Sequence, residues 1–283
     1  MQNKFQTFSY HSHTNFSDGK CSIVEMVRRA KEIGYTELGI SDHLIVHKNM
    51  WQSPSCAVNQ YMKNERHIYC TDFDEILERY QRHCDEMRRV AKAENFKLYT
   101  GFEVDFFTYD GWFEELQNFL KKLDYDYVIT GNHFLFDESG EHIINLTDLP
   151  KIYDDTSIYR ELLIRHFKTI KQAVESKMFK FLAHLDYARR LGDDICGPND
   201  FMVEKEAVLD ALAQNNVPME ISTKGLRRIG DYYPSDNIIE AAAKRNICFI
   251  ISDDAHHTNE LGLNFADAEK ILKGHKITNR LKF

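Results

Sequence analysis

Short apolar runs alternate along the chain with longer stretches in which apolar residues recur at helical spacing. The apolar runs predict seven strands, at residues 5–10, 37–41, 97–107, 126–136, 179–183, 218–222 and 247–251. The amphipathic stretches predict helices at about 22–34, 72–94, 112–123, 157–177, 200–215, 235–246 and 264–273. Runs such as 248–251 lack polar alternation, which is typical of strands buried on both faces of a parallel sheet.

The first helix carries a complete set of local signals. Ser22 and Glu25 form a capping-box sequence, in which each side chain can accept a hydrogen bond from the other residue's backbone. Apolar positions such as Ile23 and Val27 then follow at helical spacing, and Gly34 ends the helix.

Seven successive strand–helix units favour a closed or nearly closed α/β barrel over an open sheet. A chain of 283 residues could also form two small domains, but no composition break or low-complexity stretch divides it. We therefore predict a single domain over 1–283. Residues 44–71 show no clear period, and a loop this long is usually functional or mobile, so we expect a lid or a pocket wall there. An insertion without a function is the alternative.

Composition narrows the function classes. The chain is 43% hydrophobic, which is enough for a sizeable core. Its net charge of −8 disfavours general nucleic-acid binding. Its six cysteines contain no CxxC pair, so free thiols in a reducing cytoplasm are expected. No apolar run approaches membrane-spanning length, and residues 1–9 lack the apolar core of a signal peptide.

Histidines and acids recur where the predicted strands end. Two of them, His11 and His13, are spaced so that both imidazoles point to the same side of an extended chain. A single strand-end histidine is more often structural, but nine ligand-type residues on one rim are costly to bury unless something binds them. The nine are His11, His13, Asp18, His43, Glu103, His133, His184, Asp254 and His256.

Nitrogen and carboxylate ligands without thiolate suit Zn, Mn, Fe or Co, and nine of them are enough for three divalent ions. Such a cluster activates water and binds an anionic, oxygen-rich substrate, as phosphate ester hydrolysis requires. On the metals alone, amide hydrolysis and deamination fit as well.

The order of these motifs resembles that of the PHP (polymerase and histidinol phosphatase) family over nearly the whole chain. The motifs are HSHT at 11–14, SDG at 17–19, ISDH at 40–43, GFE at 101–103, GNH at 131–133, AHLD at 183–186 and SDDAH at 252–256. The insert after His43, the GFEVD strand, the DYVI strand before His133 and the GLR at 225–227 are similar to those of monofunctional histidinol-phosphatases of histidine biosynthesis.

This resemblance implies a distorted (β/α)7 barrel with a trinuclear metal centre, of Zn, Mn or Fe, at the C-terminal rim of the strands. By motif, His11, His13, Glu103 and Asp254 would hold one ion, Asp18, His43 and His256 a second, and Glu103, His133 and His184 the third. A metal-bridging hydroxide would attack phosphorus in line, which makes Glu103, Asp254 and His256 the expected catalytic residues. Asp253 is the alternative to Asp254, which we prefer for its Asp-Ala-His spacing.

Two arginines are expected to bind the substrate phosphate, because guanidinium forms bidentate hydrogen bonds with phosphate oxygens. Arg189 and Arg227 follow strand ends, and arginines at matching places bind phosphate in the histidinol-phosphatases that the chain resembles. Solvated surface charge is the alternative for each, and we expect the adjacent Arg190 and Arg228 to point elsewhere.

The resulting hypothesis is hydrolysis of L-histidinol phosphate to L-histidinol and phosphate by a cytoplasmic enzyme, with no nucleic-acid or membrane partner. A PHP-type nuclease or nucleotide phosphoesterase is the first alternative, and an inactive binding module is the second. Asp42 and Asp186 lie beside ligand positions, and we expect them to support the metal-bound imidazoles. The sequence does not predict the oligomeric state.

Overall fold

A curled parallel β-sheet organises the protein, whose computed structural model describes residues 6–283. The strands are β1 (Phe8–Ser9), β2 (Glu37–Val46), β3 (Tyr69–Cys70), β4 (Lys97–Val104), β5 (Tyr127–Thr130), β6 (Phe134–Phe136), β7 (Ile143–Asn145), β8 (Met219–Ser222) and β9 (Phe249–Ser252). Strand β2 pairs in parallel with β1, β3 and β4, and β4 pairs with β5. Strands β8 and β9 form a second parallel pair, while β6 and β7 form an antiparallel hairpin.

Helices connect and cover these strands. The α-helices are α1 (Ile23–Glu32), α2 (Ser55–Val58), α3 (Gln60–Asn64), α4 (Phe73–Ala93), α5 (Trp112–Leu120), α6 (Leu149–Ile152), α7 (Ser157–Glu175), α8 (Asp193–Cys196), α9 (Met202–Asn215), α10 (Lys224–Arg228), α11 (Asp236–Lys244) and α12 (Phe265–Gly274). Short 3-10 helices span Met50–Gln52, Leu146–Asp148, Tyr187–Leu191 and Thr258–Glu260. The capping box of α1 is confirmed, since the Glu25 carboxylate accepts from Ser22 N at 2.7 Å and Ser22 Oγ accepts from Glu25 N at 3.3 Å.

The curl of the sheet brings side chains from distant strands together. Tyr10, Tyr127, Phe181 and Ile250 form one buried apolar cluster, although they come from four distant segments of the chain. Phe283 stacks on Tyr10 with ring centroids 3.9 Å apart. A flat sheet could not bring these residues into contact, so the predicted α/β single domain with a parallel sheet is confirmed in this coarser form.

Most predicted strands differ in their bounds, and the third, for example, ends at Val104 instead of residue 107. The second strand continues to Val46, because residues 37–46 are all buried and pair with β4 or β3. His43 therefore lies within this strand. The fourth divides at residues 131–133, and its second half joins the antiparallel hairpin. The fifth predicted strand is reduced to single β-bridges at Leu182. Phe5, the first residue of the first predicted strand, lies outside the described residues.

Residues 44–71 contain more structure than the predicted loop. The segment begins in β2, passes through short helices and ends in β3, where Tyr69 pairs with Ile45. Met50 and Met62 are fully buried and join the apolar core. Across residues 6–283, no helix combines the length and the apolar character needed to cross a bilayer.

Candidate metal centre

The nine side chains predicted as metal ligands converge in one cluster at the C-terminal end of the parallel strands. Their ligand atoms form four overlapping groups, each with all atoms within 4.8 Å of one another. The groups are His13, Asp18, His43 and His256; His11, Glu103 and His184; His11, His13 and Asp254; and His43, Glu103 and His133. The structure thus brings together every residue of the predicted set.

Glu103 lies at the centre of the cluster and is 1% exposed. One carboxylate oxygen lies 2.9 Å from His184 Nε2, and the other lies 3.2 Å from His43 Nδ1 and 3.4 Å from His11 Nε2. Because both oxygens face several imidazoles, this carboxylate can bridge neighbouring cations.

The opposite side of the cluster contains Asp18 and Asp254. His256 Nε2 lies 3.0 Å from Asp18, and His13 Nε2 lies 3.2 Å from Asp254. Lys224 Nζ also lies 3.0 Å from Asp254, so one cation already contacts this carboxylate. His13 belongs to two of the groups, one with Asp18 and one with Asp254, whereas the family motif placed it in the site of Asp254 and not in that of Asp18.

Within residues 6–283, several buried imidazole nitrogens of the cluster approach carboxylates but make no hydrogen bond of suitable geometry. They are Nε2 of His11, both ring nitrogens of His13 and Nδ1 of His43. Leaving a buried polar atom unpaired costs about 1–3 kcal/mol, which a divalent cation coordinated by these nitrogens would offset. The set of imidazole and carboxylate donors therefore fits Zn, Mn or Fe on this structure's own geometry.

The charges of the cluster lower the pKa of Glu103 and of His13 but raise the pKa of His43 and of His11. Burial alone would raise the pKa of Glu103, but His11 and His133 outweigh it and hold this pKa well below its usual value. Burial and the neighbouring His256 and His43 lower the pKa of His13 to about 3, so its imidazole is neutral at pH 7. Burial is outweighed by Asp18 at His43 and by Glu220 at His11, so the pKa of His43 rises to about 9 and that of His11 rises well above its usual value. A bound metal ion would displace the protons from these two imidazoles.

Glu220 and Asp105 support the ligand imidazoles, and the sequence interpretation missed both. Glu220 Oε1 lies 2.7 Å from His11 Nδ1, and its other oxygen accepts a hydrogen bond from His184 N at 2.8 Å. Asp105 Oδ2 lies 3.1 Å from His133 Nδ1. A lone acid inside the apolar run 218–222, and an acid two residues after Glu103, were the available signals.

The two aspartates expected in this supporting role contact other groups. Asp42 accepts hydrogen bonds from Thr14 N at 2.7 Å and Ser17 Oγ at 2.6 Å, and so anchors the backbone beside the ligands. Asp186 accepts from Ser235 N at 3.0 Å and does not hydrogen-bond a ligand imidazole. The expectation that these two hold the metal-bound imidazoles is wrong.

The neighbouring residues Asp253 and Asp254 have different surroundings, which identify the one that faces the cluster. Asp253 accepts hydrogen bonds from Ser9 Oγ and Tyr35 OH, both at 2.9 Å, and burial raises its pKa to about 6. Asp254 faces the cluster with a φ of +45°, and His184 has a φ of +22°. Positive φ is uncommon outside glycine and concentrates at functional sites, which agrees with the choice of Asp254.

Gly131 lies against two of the clustered side chains. A Cβ atom at this position would come within 2.3 Å of both Glu103 Oε1 and His184 Cε1. Only glycine allows the carboxylate and the imidazole to approach the backbone this closely.

A pocket of about 130 Å³ opens over the cluster. In addition to residues of the metal cluster, the pocket is lined by Ile45, Tyr69, Phe134, Asn145, Tyr187, Arg190, Lys224 and Arg228. Its cationic lining therefore includes Arg190 and Arg228, which we had expected to point elsewhere.

Arg189 and Arg227, the expected phosphate ligands, are not among the lining residues. Arg189 is buried and pairs with Asp231 at 2.9 Å, while Arg227 donates to the backbone oxygen of Asp253 at 2.8 Å. Their assignment to phosphate stays a prediction, and the contacts favour their immediate neighbours.

Comparison with known proteins adds family evidence. The family model of the PHP domain matches residues 9–224. A Deinococcus radiodurans protein, described as a candidate histidinol-phosphatase, is 27% identical over 203 residues, which cover 70% of this chain and 73% of that protein.

Two solved structures show the same fold. A candidate histidinol phosphatase from Listeria monocytogenes superposes with a TM-score of 0.74 at 20% identity, covering 92% of this chain and 99% of the other. Histidinol phosphate phosphatase from Lactococcus lactis, solved with zinc, L-histidinol and phosphate, gives a TM-score of 0.66 at 16% identity, covering 98% of this chain and 96% of the other.

Proposed function

The chain belongs to the PHP domain family, and from that membership we propose that it is a metal-dependent phosphomonoesterase that hydrolyses L-histidinol phosphate to L-histidinol and phosphate. The observation that carries the proposal is the buried cluster of imidazole and carboxylate groups with unpaired nitrogens, set beneath a cationic pocket.

We infer that the sheet is a distorted seven-stranded barrel. Single parallel bridges support this: Leu182 links β5 to β8, and Ser12 pairs with Ala255 just beyond β9. With β1 paired to β2, these bridges connect seven parallel segments in a ring. The cluster would then occupy the C-terminal rim, where barrel enzymes place their active sites.

The nine clustered residues would hold three divalent ions, with Glu103 shared between two of the sites. When bound, such ions supply an activated water nucleophile and neutralise phosphoryl charge. The chain's own residues orient this chemistry. Glu220 and Asp105 fix two ligand imidazoles, and Lys224 holds Asp254 from the pocket side.

The pocket lining suits a small phosphate ester. Arg190, Arg228 and Lys224 provide the positive charge that a phosphate monoester dianion requires. Ile45 and Tyr69 also line the pocket, so residues 44–71 act as a pocket wall. The relative solved with L-histidinol and phosphate supports histidinol phosphate as the substrate.

The test is phosphate release by metal-loaded protein from L-histidinol phosphate, an aryl phosphate and a single-stranded oligonucleotide. We expect kcat/KM above about 10⁴ M⁻¹s⁻¹ on histidinol phosphate, and values far below it on the other two. Preferential cleavage of the oligonucleotide would establish the nuclease alternative instead. A variant carrying His184→Ala should lose turnover together with bound metal.

A further inference from the structure

A three-layer stack lies on the outside of the sheet, behind the loop that joins His13 to Asp18. The Phe16 ring lies flat on the His83 imidazole, with centroids 3.8 Å apart and planes 14° apart. The Arg79 guanidinium lies 3.8 Å from the Phe16 centroid. Arg79 and His83 are one turn apart on α4, so one helix face supplies both outer layers.

Hydrogen bonds fix this stack to the backbone on both sides. One Arg79 nitrogen donates to the carbonyl oxygen of Phe16, within the loop, and another donates to the carbonyl oxygen of His67 at 2.6 Å. The Arg79 guanidinium thus connects the loop between His13 and Asp18 to the segment 44–71.

His83 reaches the loop by a second route through Asp42. His83 Nε2 lies 3.1 Å from Asp42 Oδ2, and both side chains are buried. Asp42 in turn accepts hydrogen bonds from Thr14 N, Thr14 Oγ1 and Ser17 Oγ, at 2.6–2.7 Å. Residues on either side of Phe16 are therefore tied to the same helix.

Asp18 depends on this support more than the other clustered acids do. Its side chain is 26% exposed, whereas those of Glu103 and Asp254 are 1% and 2% exposed. Glu103 lies in β4 and Asp254 directly follows β9, but Asp18 lies on a loop outside any strand or helix. Backbone hydrogen bonds such as Lys20 N to the carbonyl oxygen of His256, at 2.7 Å, hold one end of this loop, and the attachment to α4 supports the part that contains Phe16.

We propose that Arg79, Phe16 and His83 are positioning residues that set the affinity of the Asp18–His43–His256 site for its metal ion, without touching metal or substrate. The inference rests on the proposed metal centre. Residues that orient metal ligands typically change metal affinity roughly 10- to 100-fold when removed. The effect should fall on this one ion, because the Glu103 groups are held by strands and by Glu220.

The experiment compares Arg79→Met and Phe16→Leu with Arg82→Met in the full chain. Arg82 lies on the same helix, but its side chain is 67% exposed and its ion pair is with Glu78. Zinc per chain is measured by mass spectrometry after dialysis against a weak chelator, and zinc dissociation constants are measured by competition. The two stack variants should retain two ions where wild type and Arg82→Met retain three, with the third bound roughly 10- to 100-fold more weakly.

Activity gives an independent readout. For Phe16→Leu, saturating zinc should restore kcat on the phosphate ester while KM stays at the wild-type value. Three ions held with unchanged affinity in both stack variants would overturn the inference, and so would equal weakening of all three ions. Wild-type protein that binds fewer than three ions would instead contradict the proposed centre itself, so the two failures are distinguishable.

Discussion

Replacing Glu220 with glutamine isolates what one buried carboxylate contributes to the cluster. Glu220 is 0% exposed and accepts from His184 N and from the hydroxyl of Ser252, while its Oε1 lies 2.7 Å from His11 Nδ1. With a carboxylate there, His11 keeps a proton on Nδ1, so a bound metal ion would take Nε2, which faces Glu103 and Asp254. Glutamine has nearly the same shape but offers only one acceptor.

Either orientation of the new amide is costly. With its NH2 towards His184 N, two donors face each other and a buried N–H loses its acceptor. With its NH2 towards His11, Nδ1 must become the acceptor and Nε2 takes the proton, so Nε2 no longer binds metal. The first outcome lowers the free energy of unfolding by about 1–3 kcal/mol. The second weakens metal binding about 10- to 100-fold, or about 1.4–2.8 kcal/mol.

The assay measures zinc affinity by chelator competition, and unfolding of the metal-free protein by urea titration. The matched control is Glu240→Gln, because Glu240 is exposed on α11 and pairs with Lys244 on the same helix. The control should leave both quantities within about 0.5 kcal/mol of wild type. If Glu220→Gln behaved like the control in both measurements, the role assigned to this carboxylate would be refuted.

Further substitutions test other parts of the site. Gly131→Ala should displace Glu103 and His184 and abolish metal-dependent turnover, whereas Gly274→Ala, whose Cβ meets no atom within 4 Å, should not; equal activities in the two variants would contradict the close packing. Arg190→Ala and Arg228→Ala should each lower kcat/KM for the phosphate ester roughly 10-fold or more, measured by phosphate release, and unchanged values would remove them from the phosphate site. Burial lowers the pKa of His47 to about 4, so the unfolded state takes up a proton first as pH falls below about 6.5, and this residue destabilises the fold between pH 6.5 and 4. His47→Gln should therefore reduce the loss of unfolding free energy between pH 7 and pH 5 by about 2 kcal/mol in urea titrations, and an unchanged loss would contradict this reasoning.

Local sequence signals predicted much of the fold because they act over a few residues. The capping box at Ser22 is present, and the apolar runs locate the parallel strands. The nine clustered residues were identified because strand-end positions of a parallel sheet share one edge.

What the sequence could not give depends on contacts between distant segments. Glu220 was missed because its partners His11 and His184 are more than thirty residues away, in segments outside the named strands. The arginines that line the pocket follow the two predicted phosphate ligands by one position, because both pairs lie on tight helical turns where adjacent side chains point in different directions. The 3-10 turn buries Arg189 against Asp231 and leaves Arg190 to the pocket.

The most direct test of the central claim is a metal titration of the chelator-treated protein, followed by phosphate release from L-histidinol phosphate. The account predicts negligible turnover without metal and recovery with zinc or manganese to kcat/KM above about 10⁴ M⁻¹s⁻¹. Recovery should be complete only when all three proposed sites are filled. Turnover that is unchanged by metal removal, or no turnover of the ester at any metal loading, would contradict it.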